Sequence, residues 1–399
     1  MALEKFRAFM DLGRVQGIST TAAIALLGAF TSTGIPTLAP ILWIVVISIL
    51  AHSGGAAINE LWDRKLDAGL KELSHKPMVS GIVSVKEAQA FIAACILGAL
   101  FLAYIIFGPA AFVAILISCI WLVWYCTSGK RTFLVNDFAF SVGYPAYALF
   151  GALAAGMPTT LTWVFLGIVA AVSAFSQWEN GLKDADNDRK FGIPSLAIRS
   201  GVSSENGIGS RHPFFIYGVG IKLVFLVMCI IPVFLMKVPM AYILLVVLVG
   251  VPDQILTMKM FLGRKARSEY VKAILADVPL SWLVGSAIAI LSSGWLVYIG
   301  LTLFLVDGYI IGSALQSGAE FKLKGGISPI RAAPAPKETQ AFRPRPAPIM
   351  MTWAPAGPSG LGQVRSELIC TRPQEQRPPA RGKSIFHRTE EVYIVTPIN

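Results

Sequence analysis

The chain has 399 residues, of which 55% are hydrophobic and only 14% are charged. A soluble domain carries about 25% charged residues, so this composition indicates a protein whose surface faces lipid. The net charge of +11 does not indicate nucleic-acid binding, because residues 318–399 hold more than half of the excess and no basic stripe is interleaved with aromatic residues.

Apolar stretches long enough to cross a bilayer recur through most of the chain. The nine predicted spans are residues 15–34, 36–53, 88–107, 109–127, 138–157, 159–178, 213–236, 239–258 and 279–306. The short amphipathic segment before them has no convincing cleavage site, so we do not interpret it as a removable signal peptide. The predicted fold is all-α: a polytopic membrane bundle of about nine transmembrane helices around a central cavity.

Basic residues are distributed unevenly between the two sets of connections. Lys and Arg precede the first span and recur after each even-numbered span, whereas the opposite connections contain one basic residue, Lys237. The positive-inside rule therefore predicts that the N terminus and the even-numbered exits face the cytoplasm. With an odd number of spans, the C-terminal segment would leave on the other side.

The sequence divides into a predicted membrane domain, residues 1–317, and a Pro-rich, basic tail, residues 318–399. The tail holds half of the 24 prolines and shows no sustained apolar periodicity. Such a segment buries too little apolar surface to offset the entropy lost on ordering, so we predict that it is disordered.

A first polar cluster, NELWDRKLD, follows the second span. Asn59, Asp63 and Asp67 are four residues apart, so on a helix they lie on one face, about one turn above another. A second cluster, KDADNDRKFG, follows the sixth span, where Asp184 and Asp188 repeat this spacing. Equivalent clusters four spans apart suggest two related four-helix units that share one cavity.

Stacked carboxylates beside hydrocarbon repel each other and require a compensating cation. Mg²⁺ prefers oxygen ligands, and it usually combines one or two protein carboxylates with substrate phosphates. The two clusters therefore predict a diphosphate held between them through Mg²⁺. The alternative interpretation, solvated loop charges that only help to fix topology, fits a single cluster better than two in a chain so poor in charge.

Basic residues near the clusters are candidates for binding phosphate oxygens. These candidates are Arg64, Lys183, Lys130 and Arg131. Positive-inside bias alone explains any single one of them equally well. Lys130 is the preferred candidate, because a separate loop brings it toward the same end of the bundle.

Aromatic residues near the cytoplasmic ends of the spans could place ring faces against a positive charge, although interface anchoring is their commoner role. These residues are Tyr125, Tyr144 and Trp178. His52 precedes Asn59 by seven residues, shares its helix face and could touch a bound substrate, or could be a core histidine with satisfied hydrogen bonds. Lys222 in the seventh span is expected to extend to the nearby boundary.

Four segments, in order, resemble the signature segments of the intramembrane aromatic prenyltransferase (UbiA) superfamily. They are NELWDRKLD, KPMVSG at 76–81, YCTSGKR at 125–131 and KDADNDRKFGIPSL at 183–196. The resemblance, over about residues 10–305, implies a lipid-embedded enzyme that transfers a prenyl group from a Mg²⁺-bound prenyl diphosphate to a small acceptor. It assigns metal-mediated diphosphate binding to Asn59, Asp63, Asp184 and Asp188, with Asp67 in support and Lys130 on the diphosphate.

Two residues depart from the pattern of this family: Glu60 replaces an Asp, and Lys76 replaces an Arg. The loop spacing is most similar to the 4-hydroxybenzoate polyprenyltransferase branch, which implies an aromatic quinone precursor as acceptor. The alternatives are geranylgeranyl-type transfer to a glycerol phosphate, as in archaeal lipid synthesis, and a cation-coupled transporter. Transporter sites usually lie at the bilayer midplane, whereas these acids cluster at one end.

Overall fold

The computed structural model describes residues 2–69, 73–132, 135–203 and 205–316. The predicted tail, residues 318–399, lies outside this part of the chain. Within the described residues the structure is helical, and its only β-type pairing is an isolated antiparallel bridge between Ile208 and Gly263. The all-α prediction is confirmed.

The helices are α1 Ala2–Leu12, α2 Ile18–Thr33, α3 Leu38–Asp67, α4 Pro77–Ser80, α5 Val85–Phe107, α6 Pro109–Thr127, α7 Val135–Phe138, α8 Phe140–Ala155, α9 Thr160–Phe191, α10 Leu196–Arg199, α11 Pro213–Leu235, α12 Met240–Leu245, α13 Val251–Phe261, α14 Arg267–Gly285, α15 Ile288–Ser293 and α16 Trp295–Gln316. A π-helical turn at Val246–Gly250 joins α12 to α13. In the described residues, nine helical segments are long and apolar enough to cross a membrane. The first eight predicted spans each coincide with one of them.

The ninth predicted span, residues 279–306, is not one helix. Gly294 has a φ of 86°, a conformation that L-residues rarely adopt, and the chain turns there between α15 and α16. The carbonyl of Ser292 lies beside Gly34 at the end of α2, whereas Gly308 packs against Ser19 near its start. Helix α16 therefore runs back along α2 toward the N-terminal end of the bundle.

This return contradicts the prediction that the C-terminal segment leaves on the side opposite the acidic clusters. The hydropathy pattern could not separate α15 from α16, because both are apolar and only one glycine interrupts them. By Gln316 the chain has returned to the end where α2 begins.

Two helices are longer than the spans predicted for them. The second and sixth spans were expected to end at residues 53 and 178, but α3 and α9 continue to Asp67 and Phe191. At a rise of about 1.5 Å per residue, each is longer than the hydrocarbon core of about 30 Å. Both acidic clusters therefore lie on helical extensions of the bundle and not in loops. The left-handed Gly192, with a φ of 67°, ends α9.

Small residues allow α2 and α8 to pack closely. Positions for a Cβ at Gly28 and Gly151 coincide with the carbonyls of Ala148 and Ala25, respectively. Close backbone approach of this kind is how membrane helices gain van der Waals contact where no hydrophobic effect operates between them. The resulting α2–α8 contact fixes helices on either side of the polar cavity.

Candidate active site

The polar extensions of α3 and α9 line one cavity of about 500 Å³ at one end of the bundle. Of the predicted site residues, it brings together Asn59, Asp63, Asp67, Asp184, Asp188, Lys130, Lys183, Tyr125 and His52. Two clusters more than a hundred residues apart in sequence therefore share a single chamber. Arg14, Lys76 and Arg267 contribute further basic residues to its wall.

Every acid on the α3 face is engaged by a lysine from another segment. Lys130 donates to the side-chain oxygen of Asn59, at 2.6 Å, and to the Asp63 carboxylate. Lys76 donates to Asp67 at 2.7 Å. The expectation that Lys130 reaches the mouth of the site matches this geometry, and Lys76 keeps a cation where the family pattern has an arginine.

The α9 face contains a residue that the sequence analysis missed. Asn180 precedes Asp184 by four residues, so Asn180, Asp184 and Asp188 repeat the Asn59, Asp63, Asp67 spacing, and all six line the cavity. The signal was present in the sequence as a second Asn-x₃-Asp-x₃-Asp pattern. The predicted sixth span ends at residue 178 and the predicted cluster begins at residue 183, so Asn180 belongs to neither.

Two cations compensate Asp184. The guanidinium of Arg267, at the start of α14, donates to its carboxylate at 3.2 Å, and Lys183 Nζ lies 3.4 Å from the other oxygen. Lys183 also donates to Asn180 at 2.8 Å. Arg267 lies 83 residues from Asp184, and no local pattern in the sequence links the two.

Some predicted candidates are placed elsewhere. Arg64 does not line the cavity, because it follows Asp63 by one residue and so points about 100° further round the helix. Arg131 ends the short 3₁₀ turn Gly129–Arg131, and its side chain lies outside the described atoms. Trp178 is buried and donates to the backbone oxygen of Phe214 at 2.6 Å, away from the cavity.

Glu60 also points away from the chamber. Its buried carboxylate accepts the backbone N–H of Met78 at 3.2 Å. It therefore ties α3 to the KPMVSG segment, which carries Lys76, instead of adding a ligand to the cavity. The sequence analysis expects Lys222 to extend to the membrane boundary. The structure instead buries it in an ion pair with Asp277.

The remaining walls are aromatic and polar. Tyr125 and Tyr144 line the cavity, and Lys130 Nζ lies 5.4 Å from the centroid of the Tyr125 ring. Both ring nitrogens of His52 are engaged, one with Thr21 Oγ1 at 2.8 Å and the other with the Arg14 carbonyl at 3.0 Å. This is the satisfied histidine that the sequence left as an alternative, although it borders the cavity.

The donor chemistry of the cavity suits a hard cation. Asn59 and Asp63 on one face, and Asp184 and Asp188 on the other, present the oxygen atoms that Mg²⁺ prefers. In the described residues, no three His, Cys, Asp or Glu side chains are grouped closely enough to hold a metal ion by themselves. The Asn and Asp oxygens of the two faces fit a Mg²⁺ ion that is bound by one or two carboxylates and completed by substrate phosphates.

A family model described as the UbiA prenyltransferase family matches residues 18–271. The chain belongs to this family. The fold and the enzyme class predicted from the sequence are thereby confirmed: the protein is a prenyltransferase and an integral, multi-pass membrane protein. The family does not support the transporter alternative.

Relatives with two kinds of acceptor are similar to this chain. A digeranylgeranylglyceryl phosphate synthase of Korarchaeum cryptofilum is 25% identical over 254 residues, which cover 62% of this chain and 84% of the relative. A 4-hydroxybenzoate octaprenyltransferase of Pseudomonas fluorescens is 29% identical over 171 residues, which cover 42% of this chain and 56% of the relative. The match thus spans little more than half of the second relative.

Solved structures share the fold. A UbiA homologue from Archaeoglobus fulgidus bound to DMAPP and Mg²⁺ has a TM-score of 0.56 and 16% identity, and the match covers 77% of this chain and 99% of that one. A digeranylgeranylglyceryl phosphate synthase has a TM-score of 0.55 and 18% identity, with the same coverage. Identities this low show a common fold and nothing finer.

Proposed function

We propose that this protein transfers a prenyl group from a Mg²⁺-bound prenyl diphosphate to a small aromatic acceptor, a quinone precursor. The observation that supports this most is the meeting of two Asn-x₃-Asp-x₃-Asp faces, together with Lys130, Lys183 and Arg267, in one cavity. A prenyl diphosphate carries several negative charges and a long apolar chain. The polar ends of α3 and α9 suit the diphosphate, and the aromatic wall of the chamber suits the apolar chain.

Asn59, Asp63, Asp184 and Asp188 would hold the metal, with Asp67 in support. When bound, Mg²⁺ supplies charge neutralisation to the departing diphosphate. Lys130, Lys183 and Arg267 would place cationic donors against the phosphate oxygens, which favours loss of the diphosphate from the allylic carbon. Lys130 would then leave Asn59 and Asp63, its present partners, for the phosphate.

Tyr125 and Tyr144 would provide ring faces against positive charge that develops on the prenyl group. The same walls exclude water, which would otherwise capture that carbon. An electron-rich ring would form the new bond to the carbon as the carbon–oxygen bond to the diphosphate breaks, and the ring would then lose its proton to the released diphosphate. The pairing of the three basic groups with Asp63 and Asp184 supports the proposal, because these groups would become free for the phosphate oxygens once the two aspartates hold Mg²⁺.

The two groups of relatives define the choice of acceptor. The aromatic lining and the 4-hydroxybenzoate octaprenyltransferases favour an aromatic acceptor. A glycerol phosphate is the second candidate, since the archaeal relative matches this chain over a larger part of both proteins. We further propose that the cavity opens toward the cytoplasm, on the basis of the excess of Lys and Arg at this end of the helices.

The test is a transfer assay with purified protein, a labelled prenyl diphosphate and two acceptors in parallel: 4-hydroxybenzoate and a geranylgeranylglyceryl phosphate. Mg²⁺-dependent labelling of the aromatic compound is expected, with loss of turnover after chelation by EDTA. Turnover that persists without divalent cations would refute the metal-bound diphosphate. Labelling of the glycerol phosphate alone would establish the second candidate.

A further inference from the structure

A second cavity, of about 200 Å³, lies between α2, α9, α11 and α14. Its walls are mostly apolar, with side chains that include Phe165, Val169, Phe225 and Trp282. It adjoins the first cavity, because Tyr144 lines both. No role in binding the diphosphate follows from its composition, since none of the aspartates of the two Asn-x₃-Asp-x₃-Asp faces borders it.

The charged residues Lys222 and Asp277 in this wall neutralise each other. Lys222 of α11 forms a buried ion pair with Asp277 of α14 and donates to Ser281 Oγ at 3.1 Å. Its ammonium also lies 4.1 Å from the centroid of the Phe175 ring and 3.7 Å from Asp253. The lysine is therefore neutralised and its donors are engaged, as expected of a charge buried among transmembrane helices.

Glu179 is different. Its side chain lines the cavity, is only 1% exposed, and leaves the Oε1 atom without a hydrogen-bond partner. Among the residues that line this cavity, no other has a buried side-chain oxygen or nitrogen in that state. A buried polar atom without a partner is costly, and more so inside a membrane. No donor in the described part of the chain reaches this oxygen, so it can accept a hydrogen bond from a group bound in the cavity.

Helix α9 presents its two polar faces to different chambers. Asn180, Asp184 and Asp188 face the first cavity, whereas Ser176 and Glu179 face the second. Glu179 directly precedes Asn180 in α9, so Glu179 is next in sequence to the first residue of the predicted diphosphate-binding face. The second cavity is thus a chamber beside the reaction site, apolar throughout most of its wall, in which Glu179 Oε1 is a buried oxygen without a hydrogen-bond partner.

We propose that this second cavity binds the hydroxyl-bearing ring of the acceptor, with the acceptor's hydroxyl donating to Glu179 Oε1. The inference deepens the proposed function and rests on it. An apolar pocket suits an aromatic ring, and an unsatisfied oxygen selects a donor such as a phenol. A phosphate group is disfavoured there, because it would approach Glu179 and Asp277 without a free cation, and a carboxylate on the same ring, as in 4-hydroxybenzoate, would have to point away from both residues.

The direct test measures binding without catalysis. Purified protein is titrated in detergent with p-cresol and with toluene, which has the same ring and methyl group but no hydroxyl, and binding is followed by thermal shift. Wild type is expected to bind p-cresol more tightly than toluene. Glu179→Leu should remove this preference, a loss of about 10- to 100-fold in p-cresol affinity, without lowering the melting temperature, since it removes an oxygen that has no partner.

Two controls separate a binding role from a structural one. Glu179→Gln keeps an accepting oxygen at the same position and should retain a preference for p-cresol, and Ser176→Ala, in the same wall, should change neither probe. Equal affinity of wild type for p-cresol and toluene, or a preference that survives in Glu179→Leu, would overturn the inference.

Turnover distinguishes failure of this inference from failure of the proposed function. With an aromatic acceptor, Glu179→Leu should raise the KM for the acceptor about 10-fold or more and leave the KM for the prenyl diphosphate unchanged. Transfer to 4-hydroxybenzoate with an unchanged acceptor KM in this variant would leave the proposed function standing and refute the second cavity as acceptor site. Hydroxyl-selective binding in a protein that prenylates no aromatic compound would show a ring-binding cavity but refute the aromatic acceptor, and with it the inference that the bound ring is the acceptor's.

Discussion

Each acid that lines the large cavity on the α3 face is paired with a lysine from outside α3. Lys130 binds Asp63 and Lys76 binds Asp67, while Arg267 performs the same task for Asp184 on α9. These contacts compensate charges that would otherwise repel one another at close range. The same cations are available to phosphate oxygens when a diphosphate enters.

Substitution of the central acids tests this arrangement. Asp63→Asn and Asp184→Asn should each lower the prenyl transfer rate by about 100-fold or more, because each removes a carboxylate that would bind the Mg²⁺ ion on the diphosphate. The measurement is initial rate at saturating Mg²⁺, together with melting temperature. Asp186→Asn is the matched control on the same helix, since Asp186 does not line the cavity; an equal loss in that variant would contradict the assignment.

Lys130 has its own prediction. Lys130→Gln should raise the KM for the prenyl diphosphate by about 10-fold or more, because an amide cannot supply the charge that a phosphate oxygen requires. Steady-state kinetics over a range of diphosphate concentrations measure this. Lys190→Gln serves as control, because Lys190 is exposed and lies outside the cavity wall. An unchanged KM in Lys130→Gln would remove this residue from the site.

Asp11, on the N-terminal helix, should make the stability of the folded protein depend on pH. Burial, reinforced by the Glu60 carboxylate, raises the pKa of Asp11 to about 6. The folded protein therefore holds the Asp11 proton more tightly than the unfolded chain does. Ionisation of Asp11 then lowers the stability of the folded protein: this loss is absent below pH 3.8 and complete above about pH 6.

Asp11→Asn should accordingly raise the melting temperature by roughly 2–4 °C at pH 8 and leave it unchanged near pH 4. Thermal melts of the purified variant at both pH values measure the difference. The exposed residue Glu205 provides the control, as Glu205→Gln should change neither value. A gain of equal size at both pH values would show that the ionisation of Asp11 is not responsible.

At the scale of the helices, α3 and α9 determine the site because they extend beyond the hydrocarbon core. Their last turns present a polar face to the cavity while their apolar turns remain in the bundle. A one-residue shift in either helix would rotate its aspartates by about 100° and remove them from the cavity. Close packing elsewhere in the bundle is what fixes that rotation.

Packing between α2 and α8 provides a test of this. Gly28→Ala and Gly151→Ala each place a methyl group on a carbonyl of the opposite helix, and each should destabilise the protein by about 1–3 kcal/mol. Thermal or denaturant unfolding in detergent measures the effect. Gly220→Ala and Gly300→Ala are matched helical controls, since nothing lies within 4 Å of a Cβ at either position. Equal losses at all four sites would indicate a general glycine effect.

For the whole molecule, the return of α16 determines the side from which residues 318–399 leave the bundle. The helix runs back toward the start of α2, which is also the end where the acidic faces lie. With the proposed cytoplasmic orientation, the tail begins in the cytoplasm. Labelling of the Cys370 thiol can test the side on which the tail lies, because the other four cysteines are buried. These are Cys95, Cys119, Cys126 and Cys229.

A membrane-impermeant maleimide should label Cys370 only after cells are permeabilised. Labelling of intact cells would show that the tail lies outside and would contradict either the orientation or the direction of α16. Cys370→Ser provides the blank for both conditions. The buried cysteines should remain unlabelled in either condition unless the protein is unfolded.

Truncation tests the predicted division into domain and tail. A chain that ends at Gln316 should insert in the membrane and retain transfer activity within a few-fold of the full-length protein, because both polar faces and their cations lie before this residue. Membrane content and initial rate, compared with full length, measure the outcome. A truncated protein that fails to fold would show that residues beyond 316 are needed for stability.

Much of this protein follows from local patterns in its sequence. Apolar runs about 20 residues long predict helices that cross a bilayer, and eight predicted spans coincide with helices of the structure. The four-residue repeat of Asn59, Asp63 and Asp67 predicts a polar face, because helical periodicity alone aligns these residues. The acidic residues Asp184 and Asp188 follow from the same argument, and the missed Asn180 could have been found by it.

Only the tertiary structure decided which groups meet. Arg267 and Asp184 are 83 residues apart, and the contact of Lys222 with Asp277 spans 55 residues, so neither pair has a local signature. The direction of Arg64, the direction of Glu60 away from the cavity and toward Met78, and the burial of Trp178 depend on helix rotation. The orphaned oxygen of Glu179 and the return at Gly294 likewise arise from packing between helices, which periodicity along one helix does not specify.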